Sequence, residues 1–354
     1  MSRKTKEEGA RRRAKTARLQ AIISLSCILT AIAVVWGVRQ IPTAQAAAIE
    51  PNLPPRYMRY EQVVGNVQQI PQMDIADLNL VCSQNIDDQD ELLDLNDYAA
   101  QLDKYAARVK SETARYFYKF KQNPQAYENS EAKFRIIMMG VVLCEDFGVH
   151  YNQKQAKTCL TASDAEFLSD SRTAFIRGPM DPEIGGNCGS LPVLYAAVSR
   201  RLGYPIKLVA SQHHLYLRWD APSEEINIEA TSDGGVNFYT DEHFRQIDRE
   251  INGSNNYTDA EAKAEGYFRP LTPREEAAVA FRQRTQCLVS RGRLQEASHA
   301  AGIMTQLSPT PVNKEFTGRL LLAAIHQLDE KAKHIIAVPD LAPASPEIDY
   351  SKIP

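Results

Sequence analysis

Apolar positions recur along this chain with two different periods. From Leu191 the residues Leu191, Leu194, Tyr195, Val198 and Leu202 return every three or four positions, which predicts a helix with one buried face. Gly203 supplies the stop and Pro205 prevents continuation. The period then shortens to two. Lys207 to Ser211 and His213 to Trp219 read as strands, and in the second His214, Tyr216 and Arg218 share one face while His213, Leu215, Leu217 and Trp219 share the other. A third run, Ile226 to Ala230, places Asn227 and Glu229 together with Ile228 opposite.

Helical patterns flank this centre. Upstream, Tyr98, Leu102, Tyr105, Val109 and Tyr116 mark one stripe of a helix starting at Asn96. Phe134, Ile137, Met138, Val141 and Leu143 mark another, from Ser130 to about Phe147, ended by Gly148. Downstream, Thr272 is the expected N-cap, with Pro273 at the first helical position and Glu275 three residues on. That helix runs to about Ser290. Gly292 makes the turn, Leu294 starts a second helix that stops before Ser308-Pro309, and Phe316 to Leu328 forms a third. The fold class is therefore α+β, with residues 73–270 as the mixed domain, 271–335 as a helical region and 336–354, rich in proline, as a disordered tail.

The amino terminus differs in kind. Residues 1–20 are a basic leader, and residues 21–38 carry no charge at all. About 18 to 20 apolar residues suffice to cross a bilayer, so this run predicts a transmembrane anchor with the leader cytoplasmic and the domain extracytoplasmic. Residues 39–72, with Pro51, Pro54 and Pro55, read as a linker. The competing expectation is a signal sequence cleaved near Ala46, giving a secreted or periplasmic protein.

A net charge of −3 spread over 354 residues offers no electrostatic footprint for nucleic acid. Outside the apolar run the cysteines are Cys82, Cys144, Cys159, Cys188 and Cys287, an odd number that suggests paired cysteines plus one free thiol, Cys188. No Cys-x-x-Cys or His-Glu-x-x-His spacing occurs, so neither a zinc site nor a cofactor is expected.

The candidate chemistry centres on Cys188, flanked by Gly185, Gly186 and Gly189 at the start of the predicted helix. Unpaired backbone N–H groups there favour a thiolate, small neighbours leave the sulfur open, and a histidine on an adjoining strand can form the ion pair. Cys, then His, then an acid, on helix, strand and strand, resembles the core of the transglutaminase-like superfamily, in its bacterial branch coupled to tetratricopeptide-type helices. The residues that carry the resemblance are Gly186-Asn-Cys188, Leu191-Pro-Val-Leu-Tyr, Arg201-Leu-Gly-Tyr-Pro, His214-Leu-Tyr-Leu-Arg-Trp219 and Asn227-Ile-Glu-Ala-Thr231. It implies a papain/transglutaminase-like fold with Cys188 as nucleophile and His214 as base. Glu229 stands where such proteins more often carry Asp, and Asn227 on the same face is the other candidate third member. Asn187 and Gln212 are candidate oxyanion donors beside the Cys188 N–H, and Tyr216 a candidate cleft residue. Arg218 has Asp220 and Glu225 as possible ion-pair partners, and His243 is a more distant site candidate. The spacing of Gly292, Leu294, Glu296-Ala297 and Pro309 resembles one tetratricopeptide unit, a possible surface for a protein partner. The expected activity is acyl transfer from a peptide or protein amide through a thioester. The alternative is a non-catalytic peptide-binding or scaffold protein on the same fold.

Overall fold

The computed structural model describes residues 56–87, 93–156, 168–232, 234–252 and 257–336. Order begins earlier than the proline-rich linker pattern implies. The Arg56 guanidinium donates to both carboxylate oxygens of Asp77, at 2.7 and 3.0 Å, and α1 (Tyr60–Val64) buries Tyr60 and Val63. A five-residue helix is too short to display a period, so its packing left no trace in the pattern. Helix α2 (Ile75–Cys82) is capped by the Asp74 side chain, which accepts from the Ala76 and Asp77 amides. It has almost no polar face and lies inside the core.

Helix α3 (Leu95–Gln122) is the long amphipathic element, burying Leu102, Tyr105 and Val109. Helix α4 (Glu131–Val141) starts at Ser130, whose hydroxyl accepts the Lys133 amide at 3.0 Å. Its last turn widens into a π turn, Val142–Asp146, before Gly148 reverses the chain at φ +70°. Helix α5 (Leu191–Leu202) is the helix read from the 3.6 period, closed by Gly203 at φ +71°.

The sheet has three antiparallel strands in sequential order, β1 (Ile206–Ala210), β2 (Leu215–Ala221) and β3 (Glu224–Ile228). Leu208 pairs with Leu217, which pairs with Ile228. The strands' two faces enter different cores: Leu215, Leu217, Ile226 and Ile228 join the main cluster, whereas Val209 and Tyr216 pack on Phe244 in a small second one. Helix α6 (Asp241–Asn252) supplies Phe244 and covers that second face. His213 and His214 lie outside the strands, because the Ser211 N–H donates to the His214 carbonyl at 2.8 Å and closes a loop between β1 and β2.

After α7 (Asp259–Glu265), residues 268–271 run along the free edge of β1, with Phe268 N–H on the Ala210 carbonyl and Leu271 N–H on the Leu208 carbonyl. Helix α8 (Pro273–Ser290) has the expected capping box between Thr272 and Glu275. Helices α9 (Leu294–Leu307) and α10 (Pro311–Ile336) follow. These helices are not separate from the rest, since one continuous apolar cluster runs from Tyr60 to Leu320. Arg284 of α8 donates to the Cys82 and Gln84 carbonyls and lies over the Tyr60 ring, 3.8 Å from its centre. Helix α10 leaves Leu321, Leu322, Ile325 and Leu328 exposed.

Two expectations need correction. No helix among the described residues is long and apolar enough to cross a membrane, so the structure gives no support to a transmembrane helix or to single-pass membrane placement. The apolar run 21–38 and the cleavage position near Ala46 lie outside the described residues, as do Cys159 and the tail from 337. Among the described cysteines there is no bridge: Cys82, Cys144, Cys188 and Cys287 are all free. Cys82 and Cys287 act as small core residues, and burial pushes both thiols up to about 12.

Candidate active site

Cys188 lies in the turn Asn187–Ser190 that leads into α5, three residues ahead of its first helical residue. The turn is tied at every side. Leu191 N–H donates to the Asn187 carbonyl at 3.0 Å, the Asn187 amide donates to Ser190 Oγ at 3.0 Å, and Ser190 Oγ donates to the Thr173 carbonyl at 2.6 Å. Upstream, Gly186 pairs with the segment His150–Asn152, its N–H on the His150 carbonyl and its carbonyl accepting from Asn152. A Cβ at Gly186 would sit 2.7 Å from Ser190 Oγ, so the approach requires glycine. A buried polar chain holds the other side: Ile176 N–H donates to Asn79 Oδ1 at 2.8 Å, Asn79 Nδ2 to Gln283 Oε1 at 3.1 Å, and Gln283 Nε2 to the Gly189 carbonyl at 2.7 Å. Helix α8 thus reaches the residue next to Cys188.

His214 closes the β1–β2 loop, and Glu229 directly follows β3. Antiparallel pairing brings them together. His214 Nε2 lies 2.5 Å from Glu229 Oε2, while Glu229 Oε1 accepts from both the amide and the hydroxyl of Thr231 at 2.7 Å. Every oxygen of the carboxylate is therefore engaged, and Nδ1 is left as the ring nitrogen for another partner. The Cys188 side chain lies near enough to the imidazole to favour its charged form. Burial opposes charge on His214, but the Glu229 carboxylate and the nearby Cys188 side chain outweigh it and hold the imidazole pKa well above its ordinary value. Burial likewise opposes charge on Glu229, and its attraction to His214 with the Thr231 bonds keeps it below the usual carboxylate range. Both shifts favour an imidazolium facing an ionised carboxylate.

The structure separates the remaining candidates. Asn227 does not reach His214. It pairs across the sheet with Arg218, accepts from Arg218 Nε at 2.7 Å and donates to Asp241 Oδ1 at 2.8 Å. The buried Arg218 draws it there, compensated also by Asp241 at 2.6 Å and Glu225 at 3.1 Å. Tyr216 is no cleft residue either. It is fully buried, donates to Asp241 Oδ1 at 2.7 Å and stacks on Phe244 with centroids 3.8 Å apart. Asn187 is buried beside Cys188, with Oδ1 accepting from the Gly189 N–H at 2.8 Å, which leaves Nδ2 as the donor end of that amide. Gln212 sits in the loop before His214, its backbone N–H bound to Asp248 at 3.1 Å. His243 is exposed, stacks on Tyr239 and meets the edge of Phe244. His150 lies over Gly185, its Nδ1 2.8 Å from the Gly148 carbonyl.

A cavity of about 390 Å³ lies next to the start of α5 and the end of β3, and Cys188, His214 and Glu229 are not among the residues that line it. Val149 and Tyr151 come from the stretch paired with Gly186, Leu191 and Tyr195 from α5, and Ala230 from the residue after Glu229. Among the described residues that line it none is Asp, Glu, Lys or Arg. No group of three His, Cys, Asp or Glu side chains among the described residues is placed to ligate a metal.

Pattern reading missed Phe244, Asp248 and Gln283, which brace the loop and the turn from other elements. Their only sequence signal is position on a helical face, because what recruits them is contact across long chain separations. Comparison of the chain with family models, with curated proteins and with solved structures found no match.

Proposed function

We propose that this protein is a cysteine-dependent acyl-transfer enzyme of transglutaminase-like type, acting on a peptide or protein amide. A single observation carries the reading: His214 Nε2 is held 2.5 Å from the Glu229 carboxylate, and that carboxylate together with the nearby Cys188 side chain favours its protonated form. The Cys188 sulfur attacks the amide carbonyl, the carbon–nitrogen bond breaks, and His214 delivers its proton to the leaving amine. A thioester remains. Water or an amine then attacks it, with His214 removing the proton and returning it to the sulfur. The Cys188 N–H and Asn187 Nδ2 are the candidate oxyanion donors, and the neutral cavity suits an uncharged acyl portion.

Alkylation of Cys188 by iodoacetamide near neutral pH, read on the Cys188 peptide by mass spectrometry, tests this. His214→Ala is expected to slow it about tenfold or more, since the imidazole is the group that takes the thiol proton. Equal, slow labelling of both proteins would leave the scaffold reading. That reading has its own observation, the exposed Leu321, Leu322, Ile325 and Leu328 on α10.

A further inference from the structure

Asp248 lies on α6 with none of its surface exposed, yet its carboxylate faces neutral donors. Oδ1 accepts from Ser211 Oγ at 2.9 Å and from the His213 amide at 3.0 Å. Oδ2 accepts from the Gln212 amide at 3.1 Å and from the Tyr257 hydroxyl at 2.7 Å. Three of these donors come from the consecutive residues Ser211, Gln212 and His213, which lead directly into His214. One turn earlier on the same helix, Phe244 stacks on the His214 ring, with centroids 5.6 Å apart and planes 17° from parallel.

We propose that Asp248 is a positioning residue for acyl transfer, clamping the β1–β2 loop so that the His214 ring presents one nitrogen to Glu229 and the other to Cys188. The chemistry of the site asks for a carboxylate. Four donors converge on it, and only an ionised carboxyl group offers acceptors in every direction without bringing a donor of its own. A buried charge is costly, so a site that needed only filling would be apolar. Bonds from amides to a charged oxygen are also the stronger kind, which suits a loop whose displacement by about 1 Å could cost on the order of a hundredfold in rate. Phe244 fixes the plane of the ring and Asp248 the backbone that carries it.

The proposal rests on Cys188 and His214 forming a working pair, and the experiment separates the two ideas. The rate of Cys188 alkylation by iodoacetamide is measured in the full chain from about pH 5 to about pH 9, for the unaltered protein and for Asp248→Asn, Tyr257→Phe, His214→Ala and Leu307→Ala. Asp248→Asn keeps the shape but turns an acceptor into a donor. It is expected to slow alkylation at neutral pH about tenfold and to move the pH profile toward that of His214→Ala. Tyr257→Phe, which removes one donor, moves it the same way by less and decides the matter if Asp248→Asn does not fold. Leu307→Ala, a core truncation in α9, lowers Tm without moving the profile. Profiles of Asp248→Asn and Tyr257→Phe that coincide with the unaltered protein would overturn the positioning role alone, provided His214→Ala is slow. A His214→Ala rate equal to that of the unaltered protein would overturn the acyl-transfer reading and the positioning role with it.

Discussion

The two walls that meet at the site are built from opposite materials. The wall carrying His214 is held by acidic and basic side chains: Glu229 on the ring, Asp248 under the loop, and Arg218 with Asp241 behind the strands. The wall carrying Cys188 is held by neutral hydrogen bonds from Ser190, Asn187 and Gln283 and by the glycines that let them approach. Charge on the first wall biases the protonation of the imidazole. Neutral ties on the second fix a position. Protonation and placement are thus controlled by different parts of the chain, and each can be disturbed alone.

The largest effect should come from Glu229→Gln. With its charge gone the His214 titration falls toward the ordinary value near 6.5, which NMR of the imidazole protons would record, and acyl transfer falls on the order of 10² to 10⁴-fold. Asn227→Ala should leave that titration where it is. Movement of His214 in Asn227→Ala but not in Glu229→Gln would reverse the assignment of the two residues.

The next effect is on stability. Because folding raises the His214 pKa, its contribution is fully present below about 6.5 and is lost as pH rises through the raised folded value. Glu229, lowered by folding, contributes above its ordinary value of 4.5 and loses that contribution as pH falls through its depressed folded value. Urea midpoints should therefore decline toward both extremes, and Glu229→Gln should flatten the curve on both sides. A midpoint that rises with pH above neutrality in the unaltered protein, and not in Glu229→Gln, would contradict this sign.

The smallest change to the chemistry should come from the neutral wall. Gln283→Ala leaves the Gly189 carbonyl and the Asn79 amide without their partner, at a cost of about 1 to 3 kcal/mol in urea denaturation. It should reduce Cys188 alkylation by less than about tenfold and leave the His214 titration unmoved. A shifted titration in this variant would show that the walls are not independent.

What the sequence disclosed follows the same division. Local signals were readable: the 3.6 period of α5, the Gly203 stop, the Thr272 capping box and the alternation that set Tyr216 with Arg218 on one face. Alternation could not choose between Asn227 and Glu229, because both fall on one face. The choice is made by Arg218, whose buried charge takes Asn227 across the sheet. Tyr216 faces the predicted side, but α6 covers that side, and nothing in the 214–219 segment announces the cover. Asp248, Asn79 and Gln283 were illegible for a related reason: a polar residue on a helix reads as solvated until the partner that buries it is known.

The link from Gly189 to Gln283 also sets an order of events during synthesis. The thiol turn leaves the ribosome about a hundred residues before α8 does, and until that helix has docked the Gly189 carbonyl has no amide to hold it. A nascent chain would carry the Cys188 thiol before its turn is fixed, so on the acyl-transfer reading competence arrives late, with the closing of the core rather than with the appearance of the cysteine.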